Sequence, residues 1–75
     1  MVEPIRSSSL YRVRLRELRD SRGMSQTELS FSSGVNVHHI SKIECGRRLP
    51  TVETCLRLCR ALGSSLDDLI DQDTA

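Results

Sequence analysis

The chain has 75 residues, a net charge of +1 and only two aromatic residues, Tyr11 and Phe31. A chain of this length makes one small domain with an aliphatic core, which leaves no volume for a sensor domain or an enzyme's substrate cleft. No apolar run approaches the roughly 20 residues that cross a bilayer, and the three cysteines lack the spacing of a secreted disulfide framework. We therefore expect a cytoplasmic, non-enzymatic protein.

Charge is distributed unevenly along the chain. The first 23 residues carry six arginines against three acidic residues, whereas residues 51–75 carry two arginines against five acidic residues. Such a dipole is compatible with one face lying on a polyanion, although an ordinary solvated surface would have the same composition.

Four glycines, at positions 23, 34, 46 and 63, each follow a segment of helical periodicity, where a left-handed C-terminal cap would lie. Together with the N-cap residues that precede each helical segment, these glycines predict a flexible segment over residues 1–7, one domain over 8–72, and no strand. The predicted helices cover residues 8–22, 26–33, 37–44, 52–62 and 66–72. Their expected N-caps are Ser8 or Ser9, Ser25, Asn36, Thr51 and Ser65, with Glu28 and Asp68 completing two capping boxes. The fold class is therefore an all-α, five-helix bundle.

The connection between the second and third predicted helices points to a function. About three residues, including Gly34, separate them, which is typical of a helix-turn-helix. At 100° per residue, Ile40 and Ile43 point inward on the third helix, and so does its only acidic residue, Glu44. The opposite face is polar and basic and consists of Val37, His38, Ser41 and Lys42. Such side chains suit the base edges of a major groove, and plain solvent exposure is the alternative for each.

The start of the second predicted helix is a candidate phosphate site. Free backbone N–H groups at a helix N-terminus bind anions, and Gln26 and Thr27 stand at this one. His39, which flanks the outward face of the third helix, and Arg47 and Arg48, which follow that helix, complete the expected phosphate contacts. Contacts of this kind set the register on DNA, whereas base contacts specify the sequence.

Several segments together resemble the phage repressor and Cro-type helix-turn-helix family over roughly residues 10–70. They are LRELRDSRGMSQTEL at 15–29, GVN at 34–36, ISKIECGRRLP at 40–50 and LCRALG at 58–63. The resemblance implies a lambda-repressor-like bundle and a transcriptional regulator, a repressor or restriction-modification controller, that binds a palindromic operator as a homodimer. The roles it implies are a phosphate clamp at Gln26, base contacts at Asn36, Val37, His38 and Lys42, and a partly buried ion pair between Arg19 and Glu44.

The chain departs from that family pattern on the second helix. Ser30 and Ser33 stand where the family usually has small or medium apolar residues, which predicts a less apolar core there. Phe31 stands where the family usually has a polar residue. It either offers an aromatic surface to a partner protein or packs on the first helix, and we favour packing. For the dimer interface we expect the C-terminal residues Leu66, Leu69 and Ile70.

Competing functions have weaker support in the sequence. Cys55 and Cys59 are four residues apart, but they lie on the apolar stripe of the fourth helix, where core packing explains them. Cys45 with His38 and His39 is no closed ligand set, so we expect no metal and no other cofactor. The main alternative is a protein-interaction module, an antitoxin or adaptor. The open, basic face of the third helix favours double-stranded DNA, with no role at a membrane.

Overall fold

A computed structural model describes residues 11–72, and the side chains of residues 13–70. Its elements are β1 (Tyr11–Val13), α1 (Leu15–Ser21), α2 (Gln26–Ser33), α3 (Val37–Glu44), α4 (Val52–Leu62), α5 (Leu66–Leu69) and β2 (Ile70–Gln72). The five-helix fold class is confirmed, and α2, α3 and α4 have the predicted bounds. The segment 1–7 and the predicted caps Ser8 and Ser9 lie outside the described residues. No helix within residues 11–72 is long and apolar enough to span a bilayer.

Both ends of the bundle differ from the prediction of helices over 8–22 and 66–72 without strands. Helix α1 begins only at Leu15, after an Arg14 cap without a side-chain hydrogen bond, and α5 ends at Leu69. The flanking strands β1 and β2 pair antiparallel, with Val13 opposite Ile70. Both side chains pack against the core, and β-branched residues favour an extended backbone. The two-stranded pairing of β1 with β2 supplies the backbone hydrogen bonds at residues 11–13 and 70–72. The prediction of helix at these residues is therefore wrong.

Two arginines of the basic N-terminal segment donate hydrogen bonds to the C-terminal ends of helices. The Arg14 guanidinium donates to the Asp68 carbonyl through Nε and Nη2, at 3.2 and 2.8 Å. Arg22 Nε donates to the Leu62 carbonyl at 2.9 Å. These carbonyls lie at the C-terminal ends of α5 and α4, where helix carbonyls lack intrahelical donors and the helix dipole is negative. Part of the N-terminal surplus of positive charge is therefore used to cap helices and is not free surface charge.

One aliphatic core joins the five helices. Its fully buried side chains are Leu15, Leu29, Ile40, Leu58 and Leu69. Cys55 and Cys59 pack on the inner face of α4, as predicted, and burial raises the pKa of both thiols. The assignment of Leu69 to a dimer interface is wrong, because a fully buried side chain has no surface to offer a second copy.

The three residues of α2 that depart from the family pattern are Ser30, Ser33 and Phe31. The serines bond to the following turn, whereas the phenylalanine is exposed. Ser30 Oγ donates to the Val35 carbonyl at 2.6 Å, and the Val35 N–H donates to Ser33 Oγ at 3.1 Å. Val35 is buried, so its backbone groups need such partners. Phe31 is 92% exposed, and the prediction that it packs on the first helix is wrong. Leu29 occupies the core, and two residues later the helix has turned by about 200°, away from it.

Candidate nucleic-acid interface

The turn between α2 and α3 is held by its own hydrogen bonds. Gly34 ends α2 with φ of 78°, a left-handed conformation that favours glycine, and its N–H donates to the Ser30 carbonyl at 2.9 Å. Asn36 Oδ1 accepts from the His38 N–H at 2.7 Å and so caps α3. With the two serine bonds to Val35, these contacts set the direction in which α3 leaves α2.

Helix α3 divides into an inner and an outer face as its periodicity predicts. Ile40 and Ile43 are buried, and the Glu44 side chain is only 5% exposed. On the other side His38 and Lys42 are exposed, while Val37 and Ser41 are partly exposed. The outer face, defined as Val37, His38, Ser41 and Lys42, therefore carries positive charge without a competing carboxylate. Its contact with bases stays a prediction.

Three exposed cations at the end of α3, here called the cationic cluster, are Lys42, Arg47 and Arg48. Gly46 has φ of 77°, its N–H donates to the Ile43 carbonyl at 3.1 Å, and the Arg47 N–H donates to the Lys42 carbonyl at 2.9 Å. This Schellman motif turns the chain back against the last turn of α3. Within residues 13–70 the cluster has no hydrogen-bonded or ion-paired side-chain partner, whereas Arg57 pairs with Glu53 at 3.1 Å.

The N-terminus of α2 offers free donors. Ser25 Oγ accepts from the Glu28 N–H at 3.0 Å, and Glu28 Oε1 accepts from the Ser25 N–H at 2.8 Å, which is the predicted capping box. The backbone N–H groups of Gln26 and Thr27 find no acceptor in the part of the chain that the structure describes. Two donors at the positive end of the helix dipole suit a phosphate.

The ion pair implied by the family resemblance is present beneath this surface. Arg19 Nε lies 2.7 Å from Glu44 Oε2, and Arg19 Nη2 lies 3.0 Å from Oε1, a bidentate contact between side chains only 11% and 5% exposed. The hydrogen bond with Glu44 chiefly raises the pKa of Arg19. Burial is the largest single influence on the Glu44 carboxyl and opposes its ionisation. The hydrogen bonds from Arg19 and Gln26 and the nearby arginine charges together outweigh burial, so the pKa of Glu44 lies below its ordinary value.

One contact of the site is absent from the sequence prediction. Gln26 Nε2, assigned to a phosphate, donates to Glu44 Oε1 at 2.9 Å, which ties the start of α2 to the end of α3. The inward orientation of Glu44 on the helical wheel is the signal that could have indicated it.

Two other predicted contact residues are less available than their sequence positions indicate. His39 is partly buried, and its Nε2 is enclosed without a hydrogen-bond partner, so that nitrogen cannot reach a phosphate from this ring position. Asn36 is exposed, but its Oδ1 already accepts the cap hydrogen bond of α3, which holds the side chain in place and leaves one oxygen lone pair and both amide N–H groups for a base. Across the described residues, no three histidine, cysteine or acidic side chains come together as a metal site.

Known proteins similar to this chain are regulators. A family model described as helix-turn-helix matches residues 15–69. An uncharacterized helix-turn-helix-type transcriptional regulator of Sinorhizobium fredii is 42% identical over 53 residues, covering 71% of this chain and 69% of the relative. Another, of Haemophilus influenzae, is 42% identical over 67 residues, covering 85% and 68%. The crystal structure of the restriction-modification controller protein C.AhdI from Aeromonas hydrophila aligns with a TM-score of 0.70 at 36% identity, covering 73% of this chain and 83% of that one.

Proposed function

The chain belongs to the helix-turn-helix family of DNA-binding transcriptional regulators, and we propose that it binds a palindromic operator as a homodimer. Its relatives and its fold are those of regulators and not of enzymes. The similarity to a restriction-modification controller supports a role as a repressor or controller of that kind, acting in the cytoplasm.

The outer face of α3 carries this proposal. Lys42 is exposed and unpaired within the described residues, and the only carboxylate of α3 is turned inward and bonded to Arg19. A helix presented in this way can enter a major groove without bringing negative charge to the bases. There Lys42 donates to guanine O6 or N7, His38 donates to a purine acceptor or a phosphate, and Val37 meets a thymine methyl. Ser41 and the Asn36 amide flank these contacts.

Phosphate contacts on both sides of α3 set its register in this proposal. The free N–H groups of Gln26 and Thr27 take one phosphate, and Arg47 and Arg48 take phosphates past the end of α3. Only the unburied Nδ1 of His39 is available for a further contact.

A second copy completes the site in this proposal. In a dimer of this kind the two half-sites lie about 34 Å apart, one turn of DNA, so each copy reads one half-site with its own α3. The proposed interface, here called the apolar face, consists of Leu49, Val52, Leu56, Leu66 and Ile70. Val52 is 71% exposed and lines a cavity of about 210 Å³ together with Leu49, Leu66 and Ile70. Leu49, Val52 and Leu56 are exposed, and Leu66 and Ile70 are half-buried against the core. Apolar residues grouped in this way at a surface favour self-association.

Selection of binding sites from a random duplex pool tests the proposal, with Lys42→Ala and Arg47→Ala run in parallel. We expect a palindromic consensus for the unaltered protein. Loss of the Lys42 base contact should cost about 1–3 kcal/mol and relax the preference at one position of each half-site. Loss of Arg47 should weaken binding to all duplexes by the same factor, whatever their sequence. It should also reduce the slope of log affinity against log salt concentration by about 0.9.

Arg60→Ala is the charge-matched control, because Arg60 is an exposed cation in the last turn of α4. It should leave the consensus and the salt slope unchanged. If Lys42→Ala and Arg47→Ala act alike on consensus and random duplex, the assignment of Lys42 to a base is wrong. Absence of duplex binding at low salt would overturn the proposed function and favour an antitoxin or adaptor with a protein partner.

A further inference from the structure

We propose that Glu44 is a positioning residue for DNA binding, which touches no DNA but holds the Gln26 amide in the orientation that presents its second N–H to a phosphate. The inference rests on the proposed function and concerns the same site. It assigns a role in binding to a carboxylate that would otherwise only complete an internal ion pair.

The geometry comes from one carboxylate shared by two helices. Glu44 Oε1 accepts from Gln26 Nε2 at 2.9 Å and from Arg19 Nη2 at 3.0 Å, while Oε2 accepts from Arg19 Nε at 2.7 Å. The bidentate Arg19 fork fixes the plane of the carboxylate, and this plane in turn fixes the direction of the Gln26 amide. Since a glutamine amide carries two N–H donors, one remains for a ligand.

Charge decides which member of this network can face DNA. A free carboxylate beside a phosphate would repel it, but Glu44 is neutralised by Arg19, and both side chains are nearly buried. Gln26 is the partly exposed member, at the first position of α2, beside the free backbone N–H groups of Gln26 and Thr27. The network therefore presents a neutral, oriented donor and keeps its negative charge beneath the surface.

Without Glu44 the Gln26 side chain regains its rotamers and must be ordered again when it binds a phosphate. A merely structural Glu44 would affect folding, and its removal would reduce DNA affinity independently of Gln26. A positioning Glu44 would act only through Gln26, so the two losses would not add.

The test is a thermodynamic cycle measured by fluorescence anisotropy on the selected duplex. Its members are the unaltered protein, Gln26→Ala, the paired variant Arg19→Met with Glu44→Met, and all three changes together. The paired variant removes both charges, so no unpaired Arg19 can reach DNA, and replacing a buried ion pair with apolar side chains is often tolerated.

We expect Gln26→Ala to weaken binding about tenfold, the effect of one hydrogen bond to a charged group, and to leave the salt slope unchanged, because a neutral amide displaces no counterion. The DNA affinity of the paired variant should fall by the same factor, and the affinity of the triple variant should fall no further. Losses that multiply in the triple variant, or an unaffected paired variant, would overturn the positioning role. Absence of duplex binding by the unaltered protein would instead overturn the proposed function.

A measurement on the unaltered protein covers the case in which the paired variant does not fold. The two side-chain N–H resonances of Gln26 are followed by nuclear magnetic resonance in free and DNA-bound protein. We expect the N–H bonded to Glu44 to keep its shift on DNA binding and the other N–H to move. If both resonances move to a common, averaged environment, the bond to Glu44 is broken on DNA and the inference fails.

Discussion

Removal of the Arg19 guanidinium should lower the free energy of unfolding, because this group pairs with the buried Glu44 carboxylate. In Arg19→Met, Glu44 loses both arginine bonds and keeps only the bond from Gln26, and the Met24 carbonyl loses its 2.8 Å donor. The methionine fills part of the volume, so the main effect is an uncompensated carboxylate in a site where its side chain is 5% exposed.

The expected loss follows from that burial. Breaking a buried ion pair by removing one partner costs about 3–5 kcal/mol, a large share of the roughly 5–15 kcal/mol that stabilises a typical domain. For a domain of this size, each kcal/mol lowers Tm by about 4–8 °C, so even 3 kcal/mol lowers it by about 12–24 °C.

The loss should depend on pH in a defined direction. In the unaltered protein the pKa of Glu44 lies below its ordinary value near 4.5, so its contribution to stability is present above that pH and is lost as pH falls through the folded pKa. In Arg19→Met, burial without the arginine raises the pKa of Glu44, and the variant loses stability as pH rises. The difference between the two proteins should therefore be largest at neutral pH and shrink towards pH 4.

Urea unfolding at pH 7 and pH 4 measures this difference. Arg57→Met is the matched control, because Arg57 is 51% exposed, forms a surface ion pair with Glu53 at 3.1 Å, and is not among the charges that lower the pKa of Glu44. The control should cost at most about 1 kcal/mol at either pH. A loss below about 1 kcal/mol for Arg19→Met at pH 7, or an equal loss at both pH values, would refute the argument that a buried, ionised Glu44 depends on Arg19.

Two further predictions concern exposed apolar residues. Val52→Lys should convert the proposed dimer to a monomer in sedimentation experiments and weaken binding to a palindrome about 100-fold or more, while single half-site binding persists, because two linked sites bind far more tightly than one. Sedimentation unchanged from the unaltered dimer would remove the apolar face from the interface. Phe31→Ser should change the free energy of unfolding by less than about 0.5 kcal/mol, since the ring is almost wholly exposed, and a loss above about 1 kcal/mol in urea would contradict that exposure.

The central helices are predictable from local chemistry. Ser25 and Glu28 start α2, Asn36 starts α3, and a glycine at a left-handed position follows each of these two helices, so their bounds depend on residues within one turn of each end. The inner and outer faces of α3 follow in the same way, because the helical period alone places Ile40 and Glu44 on one side and Lys42 on the other.

Tertiary structure decided what depends on contacts between residues distant in sequence. Val13 pairs with Ile70 across 57 positions of the chain, so no local window could replace the ends of two helices with a ribbon. The burial of Leu69 follows from the same pairing of β1 with β2, which lies directly beside it in the chain. The Gln26 bond to Glu44 exists because the turn at Gly34 brings the start of α2 against the end of α3, and hydrogen bonds need alignment within tenths of an ångström that periodicity does not encode. Sequence alone therefore determined the motif and its exposed face, whereas packing decided which donors remain free to meet DNA.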